Sequence, residues 1–402
     1  MARLRVSRSY LIDFEESIQE RVADAMSRIY FSLWLILLSS TGVVADGHTA
    51  GVGVFGPQLS GALQNTLSQV RETLKTKNIS ASLYISDHCY WEGAAGVTQQ
   101  DPELSVDSDT IYAFGSITKT FVAGIVLQLA EENKLDLDDP LKKWLPTIPN
   151  IDSNITVRQL LNHGSRLGGY MQNRDYRSAM KKDNDKVWLP EDILKYEIPR
   201  QDDSVDIHYY TNTNYILLGM IIEAITGDSL SQALHSRVTG PLRLSNTYLP
   251  VKNFKPGRWA DSTRLFRSRF SSVWAAGAIA SVPRDIAKWT QTLHTGKFLQ
   301  PASLEAMRVT ELRRISRTEF PMGLGVWKLD GKKFTAWGHG GRFRPFLSAT
   351  FYIPELDLSI AYSFNWSASG EQFLPGKQLV DTYLENLPQD ISMCVNSQDY
   401  HR

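Results

Sequence analysis

The chain has 402 residues, long enough for two domains or for one large domain carrying an insertion. Its 43 basic and 43 acidic residues cancel, with no dominant basic block, which argues against nucleic acid or an acidic polymer as a partner. Two cysteines, Cys89 and Cys394, are too few for a disulfide framework or a zinc site; they either pair once or stand as idle thiols.

Residues 1–25 are mixed in charge, and an apolar run follows Arg28 over 29–38. Val43 and Ala45 then fit a signal-peptidase site before Asp46, with Met26 as a candidate start codon that leaves Met-Ser-Arg as the short basic lead. The run is short against the roughly 20 residues a spanning helix needs. Residues 1–45 are therefore expected to be a signal peptide and the protein secreted; an uncleaved membrane anchor is the alternative. Sequons at Asn78, Asn154 and Asn365 are compatible with the secretory route.

A Gly-rich linker covers 46–61. Leu63, Leu67, Val70 and Leu74 then recur at helical spacing over 63–75. Residues 80–86 alternate as a strand, which Asp87-His88 turns into a second strand at 90–97, beginning an antiparallel sheet. Next comes Phe114-Gly115-Ser116-Ile117-Thr118-Lys119, a glycine-released turn into a helix whose Ile117, Phe121, Ile125 and Leu129 repeat every fourth residue. Positions i and i+3 of a helix share a face about 5–6 Å apart, so the Ser116 hydroxyl and the Lys119 amine can meet. An amine in an apolar setting, its pKa lowered by desolvation, can take a serine proton. The plain alternative is that Ser116 caps the helix. A second Ser-x-x-Lys at Ser178 and Lys181 runs into a mixed-charge stretch over 181–186, which reads as solvated loop.

The Ser116 helix ends near 131–134, a turn at 135–140 leads to a short helix stopped by Pro146, and another short helix covers 156–163. Residues 164–203 read as polar loops and short helices. His208-Tyr209-Tyr210-Thr211-Asn212 precedes a buried helix over 212–226, with Gly227 as its stop. Tyr210 and Asn212 are alternate residues of an extended loop and can face one cleft. A phenol beside a cationic lysine loses its proton more readily and can serve as base. Alternatively, Asn212 caps the helix and Tyr210 packs. Residues 251–272, basic and aromatic without periodicity, read as surface loop; 275–281 are small and close-packed, and a helix opens near Pro283.

From Phe320 the texture is β, with strands at 323–329, 335–337, 346–353 and 358–364 before a final helix over 372–384. Trp337-Gly338-His339-Gly340-Gly341-Arg342 is a glycine-rich strand edge that a ligand's backbone can approach, or else a turn containing one histidine. The expected fold class is α/β (α+β): an antiparallel β-sheet flanked by helices, built from 62–145 and 273–388. A mostly helical domain over 146–272 is inserted, a tail covers 389–402, and the cleft between the two parts is the natural site.

In this order the three motifs resemble the penicillin-recognising serine hydrolases, which include class C β-lactamases, D-alanyl-D-alanine carboxypeptidases and related esterases. The resemblance runs over about 62 to 386 and takes in the 112–140 and 155–163 blocks, the 210–219 block, Thr226-Gly227, Pro241-Leu242, Ala276-Gly277 and the 281–285 segment. It implies a β-lactamase/transpeptidase-like fold and a cofactor-free, metal-free acyl-enzyme mechanism. Ser116 would be the nucleophile, Lys119 its proton acceptor or relay, and Tyr210 the base. Asn212 would hold the substrate amide and Lys119. His339, Gly340 and Gly341 would line the substrate site, with the backbone N–H groups of Ser116 and Arg342 as oxyanion hole.

Two departures bear on the substrate. Gly164-Ser165-Arg166 stands where the family often has Thr-Ser-Gly, and His339 stands where it often has lysine. With an ordinary pKa of about 6.5, His339 would be only partly charged, leaving a substrate carboxylate to Arg342 or Arg344. The expectation is thus a secreted serine hydrolase acting on a small-molecule or peptide ester or amide. Its rivals are an inactive relative that binds through the same cleft, and a membrane-anchored scaffold. Sequencing of the mature amino terminus is expected to begin near Asp46, and a start at Met1 or Met26 overturns cleavage.

Overall fold

The computed structural model describes residues 55–99, 102–199, 208–250, 257–263, 267–315, 318–331, 334–366 and 371–395, with 388–395 as backbone only. The apolar run at 29–38 and the cleavage site before Asp46 lie outside these residues. Among the described residues, no helix is long and apolar enough to cross a membrane.

Helix α1 (Pro57–Leu74) buries Leu59, Leu63, Leu67, Val70 and Leu74 on one stripe and opens on a proline, where no backbone donor is needed. Strands β1 (Asn78–Ser86) and β2 (Cys89–Gly96) form an antiparallel hairpin about the expected turn. Cys89 is buried on β2 and disulfide-bonded, in a chain whose other cysteine is Cys394. A two-residue strand β3 (Tyr112–Ala113) leads into a 3-10 turn at Gly115–Ile117 and then helix α2 (Thr118–Glu131). Eleven of the 14 residues of α2 are buried, Lys119 among them, so this helix lies in the interior rather than on a surface.

Short helices α3 (Val157–Leu161), α4 (Arg174–Ala179) and α5 (Pro190–Leu194) follow. Helix α6 (Thr213–Thr226) stops at Gly227, whose φ of 73° is the left-handed turn anticipated there. After α7 (Leu230–Leu234) comes α8 (Arg267–Gly277), whose residues 267–272 close the 251–272 stretch expected to be surface loop. That expectation fails because α8 buries Ser268, Ser271 and Ser272 beside Phe270 and Trp274, a core face with too few apolar residues to show a period. Strand β4 (Ala280–Ser281) pairs with β3.

Helices α9 (Pro283–His294) and α10 (Pro301–Arg308) lead into β5 (Glu311–Ile315), β6 (Thr318–Met322), β7 (Trp327–Asp330), β8 (Thr335–Phe343), β9 (Phe346–Ile353) and β10 (Leu358–Asn365). The last element is α11 (Leu374–Val395). Eight strands make one antiparallel sheet in the order β2-β1-β10-β9-β8-β7-β6-β5. Helices α1 and α11 share an apolar core with one face of the sheet, and Thr66 meets Thr382 at 2.8 Å between them. Helix α9 packs on the other face, where Thr290 and Thr350 exchange a 2.6 Å hydrogen bond, in a core that also contains α2 and α6. Of the sequons, Asn78 and Asn365 are buried in strands; only Asn154 is exposed.

Strand β8 runs six residues beyond the expected end at 337, and its register places the site. Strand β7 pairs with 335–338 and no further, leaving 339–343 with a free edge that faces the 3-10 turn ahead of α2. An added Cβ at Gly341 would sit 2.0 Å from the Phe114 carbonyl oxygen, and one at Gly115, where φ is 57°, would sit 2.7 Å from the Arg342 nitrogen. Glycine at 341 is what lets the edge and the turn touch. Gly341→Ala should lower stability by about 1–3 kcal/mol from overpacking. Gly61→Ala, where nothing lies within 4 Å, should not. Thermal melting decides, and equal shifts in both variants would show that this edge is not tightly packed.

Candidate active site

Ser116 lies at the centre of the 3-10 turn, and the backbone around it is tied down on both sides. Thr118 Oγ1 donates to the Gly115 carbonyl at 2.7 Å and accepts from Ile279 N–H at 2.9 Å, while Phe114 N–H donates to Ile279 O. Ser116 caps nothing: no side chain caps the 3-10 turn or α2. One helical turn on, the fully buried Lys119 places Nζ 3.2 Å from Ser116 Oγ, 2.8 Å from Asn212 Oδ1 and 2.6 Å from the Ala276 carbonyl. Burial pushes the amine well below the ordinary lysine range, toward its uncharged form. An uncharged amine has two hydrogens and one lone pair. In that form, with Asn212 Oδ1 and Ala276 O accepting the two hydrogens, the lone pair would be left for Ser116.

Asn212 opens α6 without capping it, since its side chain makes no cap hydrogen bond and serves Lys119 instead. The amide NH2 then faces away from the lysine and donates to Met171 Sδ at 2.9 Å. Two residues earlier, Tyr210 is hung from the sheet: its N–H donates to Arg314 O on β5 at 3.0 Å, and Arg314 N–H donates to His208 O at 2.9 Å. The His163 ring lies 4.1 Å from the Tyr210 ring, and its Nδ1 accepts from Thr211 N–H at 3.3 Å and sits 3.0 Å from Asn214 Nδ2. The Tyr210 hydroxyl oxygen is closed off from water, with the Ser116 hydroxyl as its polar neighbour among the described residues. Burial pushes its pKa up, with the Ser116 hydroxyl as the one neighbour pulling the other way. The resting form is therefore the phenol, not the phenolate expected beside a cationic lysine, because the cost of burying a phenolate outweighs the pull of its neighbours.

His339 reaches the free edge of β8, where it is buried against Trp327 at 4.3 Å and Tyr210 at 6.0 Å between ring centres. Burial first, and the Lys119 amine second, hold its pKa down to about 3, so it is neutral rather than partly charged near pH 7. Arg342 pairs with Leu347, on the α1 and α11 face, whereas His339 pairs with Thr350 on the opposite face. Arg342 thus offers the cleft its backbone, while its guanidinium stacks on Trp366 at 4.3 Å, with that of Arg344 at 5.0 Å from the same ring. Arg166 Nε donates to His208 Nε2 at 2.9 Å. The second Ser-x-x-Lys is solvated: exposed Ser178 donates to Arg174 O, and Lys181 is exposed.

The structure therefore brings Ser116, Lys119, Tyr210, Asn212, His339 and the Gly340-Gly341 edge together. Sequence reasoning missed Ala276 as an acceptor, His163 as the ring beneath Tyr210, and Met171. The Ala276 carbonyl is aimed by a break inside α8, where Trp274 adopts φ 26° and ψ −113°. A carbonyl carries no residue signature, so nothing in the sequence could have marked it.

Comparisons with known proteins bear on the family and the fold. A Staphylococcus aureus teichoic acid D-alanine hydrolase is 26% identical over 247 residues, 58% of this chain and 59% of that protein. Penicillin-binding protein 4* of Bacillus subtilis is 25% identical over 239 residues, 53% of this chain and 51% of that one. The chain spans between about half and three fifths of the length of these curated relatives. A D-stereospecific amidohydrolase from a Streptomyces species superposes with a TM-score of 0.67 at 27% identity, over 80% of this chain and 97% of its own. The D-amino acid amidase of Ochrobactrum anthropi SV3, at 24% identity over 82% and 99%, gives a TM-score of 0.72 and supports the fold. With the Beta-lactamase family model matching residues 63–383 and the antiparallel sheet in place, the chain belongs to the beta-lactamase family of penicillin-recognising serine hydrolases.

Proposed function

We propose that the protein hydrolyses a D-aminoacyl ester or amide through an acyl-enzyme on Ser116. The observation that carries this reading is the buried Lys119 Nζ, 3.2 Å from Ser116 Oγ and 2.8 and 2.6 Å from Asn212 Oδ1 and Ala276 O; as the free amine, with its two hydrogens on those last two oxygens, it keeps a lone pair for the serine. Ser116 Oγ attacks the carbonyl carbon as its proton passes to Lys119. The N–H groups of Ser116 and Arg342 hold the oxyanion at the edge of β8. The Tyr210 phenol supplies a proton to the leaving oxygen or nitrogen and recovers one from Lys119. Water then releases the acid by the reverse sequence. The substrate class is supported by the relatives, one named as a D-alanine hydrolase and one as a D-stereospecific amidohydrolase. An oxidising, secretory location is supported by the Cys89 disulfide.

Incubation with a fluorophosphonate should add one adduct to the wild type and none to Ser116→Ala, read by intact mass. The same substitution should lower turnover of a D-alanyl p-nitrophenyl ester at least about 1000-fold; equal adducts or equal rates would remove the mechanism. The pH dependence follows from the direction of the lysine shift. Because burial lowers the Lys119 pKa, the base form persists below the ordinary lysine range. Activity should therefore hold in mild alkali and fall as pH drops through the lowered pKa. The measurement is kcat/KM against pH, with Lys119→Arg lacking a base at every pH; a profile with no acid limb, or an active Lys119→Arg, contradicts the role.

A further inference from the structure

We propose that Met171 is the gate of the acyl-amide subsite and an oxidation switch for it, an inference that rests on the hydrolase reading above. Met171 lies in the 3-10 turn Tyr170–Gln172 and is 42% exposed, the most exposed methionine among the described residues. Its thioether accepts the Asn212 Nδ2–H at 2.9 Å, while Lys119 occupies the other end of the same amide. That NH2 group is the donor the site can turn to an amide oxygen in the acyl part of a substrate. A thioether is a weak acceptor and a carbonyl oxygen a strong one, so substrate displaces Met171 with a net gain. Methionine's three rotatable bonds let the sulfur swing aside without moving the backbone.

Oxidation reverses that balance. With hydrogen peroxide as oxidant, a sulfur lone pair attacks one peroxide oxygen, the S–O bond forms and the O–O bond breaks. The departing hydroxide takes a proton and leaves as water; sulfur is oxidised by two electrons and peroxide reduced by two. The sulfoxide oxygen is a polar acceptor already beside Asn212 Nδ2, and it competes with the substrate amide where the thioether yielded. The subsite closes while Ser116, Lys119 and Tyr210 keep their geometry.

The test uses two esters, N-acetyl-D-alanyl p-nitrophenyl ester, which carries an acyl amide, and p-nitrophenyl acetate, which does not. Wild type and Met171→Leu are treated with dilute peroxide, quenched with catalase and assayed, with Met171 conversion read by peptide mass. In the wild type the ratio of kcat/KM for the amide-bearing ester to that for acetate should fall roughly tenfold, the size of one hydrogen bond lost. Methionine sulfoxide reductase should restore it, and Met171→Leu should keep its own untreated ratio. An unchanged ratio at full Met171 conversion, or an equal fall in Met171→Leu, overturns the gate while leaving the hydrolase reading intact. If the untreated enzyme shows no Ser116-dependent turnover, the hydrolase reading fails and the gate fails with it.

Discussion

The molecule is arranged around one costly act, the burial of a lysine amine in an apolar interior. A charged ammonium there would need a paired anion, and among the described residues no carboxylate lies within ion-pairing distance of Lys119. Two neutral oxygens meet it instead, one from the start of α6 and one from the end of α8. Helix α2 must therefore be interior, α6 and α8 must converge on it, and the free edge of β8 must close the remaining side. The glycines at 115 and 341 allow that last approach.

Much of this frame was legible where burial and period coincide. The leucine stripe of α1, the repeat after Ile117 and the Gly227 stop each follow from a regular element with one apolar face. Legibility ended where the buried face is polar or the strand lies at an edge. Helix α8 turns serines inward, and β5 buries Arg313 while exposing Leu312, the reverse of the alternation that marks a strand. Yet β5 is the element from which Tyr210 hangs, so the motif was readable and its support was not.

The site divides the same way. Ser116, Lys119, Tyr210 and Asn212 are visible as side-chain types at informative spacings, and the family resemblance orders them. Protonation states are not visible, because they depend on who surrounds whom. Burial makes Tyr210 a phenol and His339 a neutral imidazole, and pairing with Leu347 turns the Arg342 guanidinium to the far face. The side chains gathered around Ser116 are then neutral hydrogen-bonding groups and aromatic rings, with the Arg342 and Arg344 guanidinium groups stacked on Trp366 instead.

The break at Trp274 has a consequence for how the protein can change. A tryptophan at φ 26° carries a backbone penalty of about 1–3 kcal/mol, and two residues later the chain delivers the carbonyl that Lys119 requires. On the proposed mechanism, stability and catalysis therefore pull on the same residue in opposite directions. On that same proposal, a lineage freed from the need for hydrolysis would gain thermal robustness by straightening α8, and an unbent α8 in a relative would mark the loss of the proposed base before any motif residue had changed.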